Sequence, residues 1–213
     1  MRWRSCGTIG AIIAAVGVSA CGGSRQDVNE PKGNFAVAVS KAAFPTSQRL
    51  AEHTHLVIAV QNTGTKTIPN VAVTITNPSG DAAQSFSEFL SQSEANSLGL
   101  ASRSRPVWIV DQPPGPCGYS CKSGGPGGAV TAYTDTWALG ALKPGATATF
   151  DWAVTAVQPG RWDVQYEVAA GLNGKARALL SGGSAPMGRF HVTISTKPAQ
   201  TYVNNAGQIV KTP

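Results

Sequence analysis

The chain has 213 residues, with 17 Lys and Arg against 11 Asp and Glu, a formal charge of +6 and four cysteines. Its basic residues are scattered, so the stripe or cluster that marks a nucleic-acid binder is missing and nucleic acid is not an expected partner. Neither a Gly-x-Ser-x-Gly elbow, a His-Glu-x-x-His pair, a Walker loop nor a dinucleotide fingerprint occurs, so catalysis has no motif behind it.

In chain order, the first feature is an address. Met1-Arg2-Trp3-Arg4 is a short basic start, and residues 9–20 form an uncharged, mostly apolar run. That run falls well short of the roughly 20 apolar residues needed to span a bilayer, and with its small-residue exit it reads as a secretory signal. The exit, Val18-Ser19-Ala20-Cys21 followed by Gly-Gly-Ser, resembles the lipobox of bacterial lipoproteins. The resemblance implies cleavage before Cys21 and a diacylglyceryl group on its sulfur, which would anchor the chain to the outer face of the bacterial cytoplasmic membrane. Residues 1–20 are then the signal and 21–33 a lipidated tether. Without the signal the chain has 15 basic against 11 acidic residues, a mild excess of +4.

From Asn34 the apolar residues keep a period of two, the pattern of half-buried strands. Phe35, Val37 and Val39 share a face, as do Leu56, Ile58 and Val60. Val71, Val73 and Ile75 form a third set, with Ala72, Thr74 and Thr76 expected to point outward. The longest alternation falls between Leu139 and Gly171. There Ala148, Phe150, Trp152 and Val154 make one apolar face, and Trp162, Val164, Tyr166 and Val168 another. Joined at Gln158-Pro159-Gly160, these two segments read as a hairpin. Phe190, Val192 and Ile194 complete the series. Asn62-Thr63-Gly64, Pro78-Ser79-Gly80, Lys143-Pro144-Gly145 and Asn173-Gly174 supply turn chemistry between the runs. About eight short strands with such spacing predict an all-β, antiparallel, immunoglobulin-like sandwich over residues 34–197. Residues 198–213 are expected to form a tail or one extra strand.

"VQNTGTKTIPNVAVTIT" and "LGALKPGATATFDWAVTAVQPGRWDVQYEV" resemble the CARDB and related conserved-repeat domains of bacterial cell surfaces. The similarity covers residues 34–78 and 137–181, about half the chain, and rests on turn and core residues. It implies the sandwich and carries no chemistry.

Residues 81–133 form an insertion too long for a connection between neighbouring strands. Phe86, Phe89 and Leu90 stand at helical spacing, predicting a short amphipathic helix, and "RPVWIVD" reads as a strand. Beyond it, "PPGPCGYSCKSGGPGG" carries Cys117, Tyr119 and Cys121. Two thiols this close in an oxidising compartment are expected to pair, and so small a loop adds only about 2 kcal/mol. A Cys-x3-Cys spacing also resembles copper-delivery proteins of the thioredoxin fold, with His191 and Met187 as added soft ligands. The βαβ pattern of a thioredoxin-like motif is missing. Tyr119, Trp108 and Tyr133 are the candidate ligand contacts, as rings held near this loop. The insertion reads equally as an edge-covering flap.

His53 and His55 stand two apart on an extended run, a spacing that puts both imidazoles on one face. Nothing in the sequence nominates a third metal ligand, so a solvated pair is the expectation, and no metal or other cofactor is assigned. Asp135 and Asp151 have no evident carboxylate partner. The expected function is a non-catalytic, lipid-anchored envelope protein that binds or scaffolds an envelope protein or wall polysaccharide. The alternative is a copper-handling or thiol-redox accessory lipoprotein using Cys117 and Cys121.

Overall fold

The computed structural model describes residues 29–76, 86–87, 106–115, 131 and 135–211. Thirteen strands are defined there: β1 (Gly33–Ala43), β2 (Ser47–Leu50), β3 (His53–Asn62), β4 (Ala72–Thr76), β5 (Phe86–Ser87), β6 (Trp108–Gln112), β7 (Thr136–Ala138), β8 (Thr147–Ala156), β9 (Gly160–Ala169), β10 (Ala176–Leu179), β11 (Met187–Pro198), β12 (Thr201–Val203) and β13 (Ile209–Lys211). One sheet has the order β10-β1-β3-β8-β6-β5 and the other β2-β11-β9-β4-β7. The run β1-β3-β8-β6 against β11-β9-β4 reproduces the four-on-three strand order of an immunoglobulin constant-type sandwich. The fold is therefore all-β and immunoglobulin-like.

The alternating residues do what their period requires. Leu56, Ile58 and Val60 from β3, Phe150, Trp152 and Val154 from β8, and Val164, Tyr166 and Val168 from β9 are all buried. At the centre Trp137 and Trp152 meet edge to face, with centroids 5.3 Å apart at 84°. That is the geometry aromatic quadrupoles favour.

Several expectations are corrected. β8 and β9 do not pair as a hairpin: β8 lies between β3 and β6, and β9 between β11 and β4 in the other sheet. A hairpin would turn both apolar faces to the same side, whereas crossing between sheets lets the two faces bury one another. The corner is built for this. Gly160 takes φ +146°, a Cβ there would meet the Trp162 indole at 3.0–3.2 Å, and the indole N–H donates to the Gln158 carbonyl at 3.2 Å. Ala72, on the face opposite Val71 and Val73, is fully buried rather than exposed, flanked in register by two other small residues, Ala138 and Ala169.

The sheets are also mixed rather than wholly antiparallel. β1 pairs with β10, β2 with β11 and β5 with β6 in parallel. β1 pairs β10 through residues 33–36 and β3 through residues 37–43, and the chain then crosses to run β2 along β11. Phe86 and Ser87, expected in a helix, pair as a strand with Trp108 and Ile109. The remainder of that expected helix lies outside the described residues.

After β11 the chain makes a hairpin, β12–β13, closed by Asn204, whose Oδ1 accepts from the Ala206 and Gln208 amides at 3.0 and 2.9 Å. The Asn-Ala-Gly segment of the sequence is thus the turn between two strands.

The register gives the sandwich two distinguishable poles. Glu30 sits at one, its carboxylate accepting from the Asn173 and Ala176 amides, both at 2.7 Å. The connections 63–71, 139–146 and 170–175 lie at this same pole. At the other are the β2–β3 turn, the β8–β9 corner and the start of β6, joined by Ala51 N–H to Ala156 O at 2.8 Å and Val157 N–H to Val107 O at 2.9 Å. β11 also ends there, so the C-terminal hairpin leaves from the pole opposite Glu30.

Candidate functional site

Among the described residues, a cluster of polar side chains lies on the outer face of the β3–β8–β6 sheet. In register, His53 stands opposite Thr155, and His55 opposite Ala153 with Asp151 on the diagonal. The pairing of β6 with β8 shifts register between Val110 and Gln112, a bulge. Bulges bend a strand and re-aim a side chain. Here the extra residue is Asp111, whose Oδ2 accepts from Thr155 Oγ1 at 2.6 Å and lies 3.1 Å from His53 Nδ1. Thr155 Oγ1 is itself 2.8 Å from that Nδ1. Beside this cluster His55 Nδ1 is 2.7 Å from Asp151 Oδ1.

The three-residue cluster is not a nucleophilic relay. In a triad the hydroxyl and the carboxylate take opposite ring nitrogens, so that the imidazole can move a proton between them. Thr155 and Asp111 both sit on the Nδ1 of His53, which orients the ring and leaves the hydroxyl unactivated.

Two hollows adjoin the cluster. One, of about 360 Å³, is lined by His55, Gln112, Pro113, Thr149, Asp151 and Ala153. The other, of about 700 Å³, is more apolar and is bordered by Ala42, Phe44, Pro45, His53, His55 and Phe190. His55 borders both. Gly115, three residues after β6, also lines the first.

His191 is exposed, as its alternation with Phe190 and Val192 implied, and it too faces a carboxylate, with Nδ1 2.6 Å from Asp163 Oδ1. The second oxygen of Asp163 lies 3.7 Å from Arg189. Met187 is exposed on the same strand, four residues earlier. Asp135 stands apart from all of these, at the entrance to β7 with φ +51°. Burial pushes its carboxyl up from the ordinary 3.8 to about 6.

Of the candidate ligand contacts, only Trp108 falls in the described residues, and it is a core residue rather than a displayed ring. It is fully buried, its indole N–H donates to Gln48 Oε1 at 2.7 Å, and Phe44 packs on it at 5.3 Å. Gln48 is buried as well and donates in turn to the Pro45 carbonyl at 2.8 Å. Cys21, Cys117, Tyr119, Cys121 and Tyr133 lie outside the described residues, and with them the expected lipidation and disulfide. Among the described residues no three His, Cys, Asp or Glu side chains converge as a metal cage. Nothing in the sequence marks Asp111 and Asp151 as partners of the histidines, because only strand register brings them together.

No family model matches the chain, and no curated protein matches it. Solved structures do align over most of it. A fragment of native alpha-2-macroglobulin from Escherichia coli, spanning domain MG7 to the C-terminus, is 14% identical, covering 79% of this chain and 18% of its own, with a TM-score of 0.41. The CARDB domain of the PF1109 protein from Pyrococcus furiosus, solved in complex with di-metal ions, is 11% identical, covering 77% and 93%, at 0.38. The human F-spondin reeler domain is 6% identical, covering 77% and 92%, at 0.34. This chain thus spans less than a fifth of the macroglobulin fragment. None of these similarities is close enough to transfer a function. The class defined by the strand order itself is an immunoglobulin-like sandwich bearing histidine–aspartate pairs on its outer faces.

Proposed function

We propose that this chain is an anchored display module of the bacterial envelope. It is exported, held through lipid on Cys21 at the outer face of the cytoplasmic membrane, and binds an envelope protein or wall polysaccharide without catalysing a reaction. The observation that supports this reading is the separation of the poles. Glu30 pins the start of the fold at one pole, while the C-terminal hairpin and the start of β6, a strand within the insertion, sit at the other. Eight residues lie between Cys21 and Glu30, and the nine steps of chain reach at most roughly 32 Å. The pole bearing Glu30 would therefore stay near the membrane. β8, ten residues long, carries the opposite pole a further ~33 Å outward.

A photocrosslinking residue at Lys197, exposed at the far pole, is compared with one at Lys66, exposed at the near pole, alongside lipid labelling of the wild type and Cys21→Ser. Labelling that Cys21→Ser abolishes, with one envelope component captured reproducibly from position 197 and not from 66, is the expected result. An unlabelled wild-type chain overturns the anchor. Capture from 66 alone, or from neither position, overturns the display of the far pole.

A further inference from the structure

We propose that His53 and His55 form an open, two-imidazole site for a divalent transition-metal ion, copper(II) in preference to zinc(II). This inference is independent of the anchoring and display reading.

Both residues lie on the outer face of β3, where alternate positions share a face and their Cα atoms stand about 7 Å apart. Their side chains are 76% and 63% exposed, and both border the hollow beside Phe44 and Phe190. Each ring already has a carboxylate on one nitrogen, Asp111 on Nδ1 of His53 and Asp151 on Nδ1 of His55. A carboxylate there holds the neutral ring's proton on Nδ1 and turns the Nε2 lone pair outward. It is the orienting arrangement found behind metal-ligating histidines. Two imidazoles bind an ion at 2.0–2.1 Å from each nitrogen, so their Nε2 atoms must come within about 3–4 Å of each other. Exposed rings on alternate strand positions reach this by tilting together, without moving the backbone.

The donor set decides the metal. Neutral imidazole suits copper, nickel and zinc, and at a site that imposes no rigid geometry the Irving–Williams order places copper(II) first. Calcium and magnesium, which require several oxygen ligands, are poorly matched. Water completes the coordination. His191 provides an internal comparison: it too has a carboxylate, Asp163, on Nδ1, but no histidine two positions away.

The test is a copper(II) titration of the full-length chain in detergent. Its thiols are first alkylated so that cysteine cannot compete, and glycine serves as competing chelator. Nitrogen hyperfine structure in the electron paramagnetic resonance spectrum counts the imidazoles. One equivalent with two imidazole nitrogens is expected, and zinc(II) should bind more weakly. His53→Gln and His55→Gln should each weaken copper binding at least tenfold, and His191→Gln should leave it unchanged. Asp151→Asn should weaken it about tenfold by freeing the ring of His55. Both histidines are exposed, so thermal melts of the variants should match the wild type. Copper binding that survives in the double variant, or that is lost with His191→Gln, overturns the site.

Discussion

Asn62 joins two connections of the near pole through its side chain. It ends β3 fully buried. Its side-chain amide donates to the Lys66 carbonyl at 2.9 Å and the Leu142 carbonyl at 2.8 Å, while its Oδ1 accepts from the Gly64 amide at 3.0 Å. One side chain thereby ties the β3–β4 connection to the β7–β8 connection, 80 residues away in sequence. Asn62→Ala removes all three bonds. At about 1 kcal/mol each, the loss is about 3 kcal/mol. Leu142 O retains the Ile68 amide at 2.9 Å, which keeps the cost from rising further. For a chain this long, 3 kcal/mol lowers Tm by about 6–12 °C. Asn62→Asp is the sharper test. It preserves shape and the bond to Gly64, but aims a carboxylate oxygen at two carbonyls, so at pH 7 it should be less stable than Asn62→Ala. Urea unfolding of the three proteins measures this. An Asn62→Asp protein more stable than Asn62→Ala, or an alanine cost below about 1 kcal/mol, would refute the argument that the paired donors matter.

Gly160→Ala should cost about 2 kcal/mol, because it strains a positive φ and displaces the Trp162 ring from the corner; urea unfolding followed by tryptophan fluorescence reads both effects. Asp135 gives the protein a pH dependence of definite sign. Its folded pKa, about 6, lies above the ordinary 3.8, so the folded state holds the proton more tightly and stability falls as pH rises from about 4 through 6. The shift alone corresponds to about 3 kcal/mol, and solvent at this half-buried turn reduces it to about 1. Asp135→Asn, which also tolerates the positive φ, should flatten that slope in melts run from pH 4 to 8. Glu30→Ala removes the two bonds to the Asn173 and Ala176 amides. Hydrogen exchange should then quicken at residues 173 and 176 while the amides of β8 and β9 keep their protection.

The core was legible because period two assigns a face without needing a partner. Leu56, Ile58, Phe150, Trp152, Val164 and Val168 are all where alternation puts them. Which strands pair is a different question, and alternation does not answer it. β8 and β9 carry the same pattern whether they pair or face one another, and the Pro-Gly turn signal fits either. The parallel edges were hidden for a related reason, since β10 meets β1 only after the chain has crossed both sheets. Trp108 misled because an aromatic beside a Gly/Pro-rich loop reads as display. Its burial depends on Phe44 and Gln48, some 60 residues earlier.

The same limit explains why the histidines were visible and their partners were not. His53 and His55 announce themselves by spacing, yet a pair on a strand is chemically undefined until its neighbours are known. Asp151 becomes the partner of His55 through the β3–β8 register, and Asp111 reaches His53 only because a bulge in β6 inserts it there. A one-residue slip of β8 would turn Asp151 into the core and Phe150 to water. The hydrophobic contacts that fix the register are therefore also what fix the orientation of the two rings. A variant that loosens the β3–β8 packing, such as Ile58→Ala, should weaken metal binding without touching a ligand.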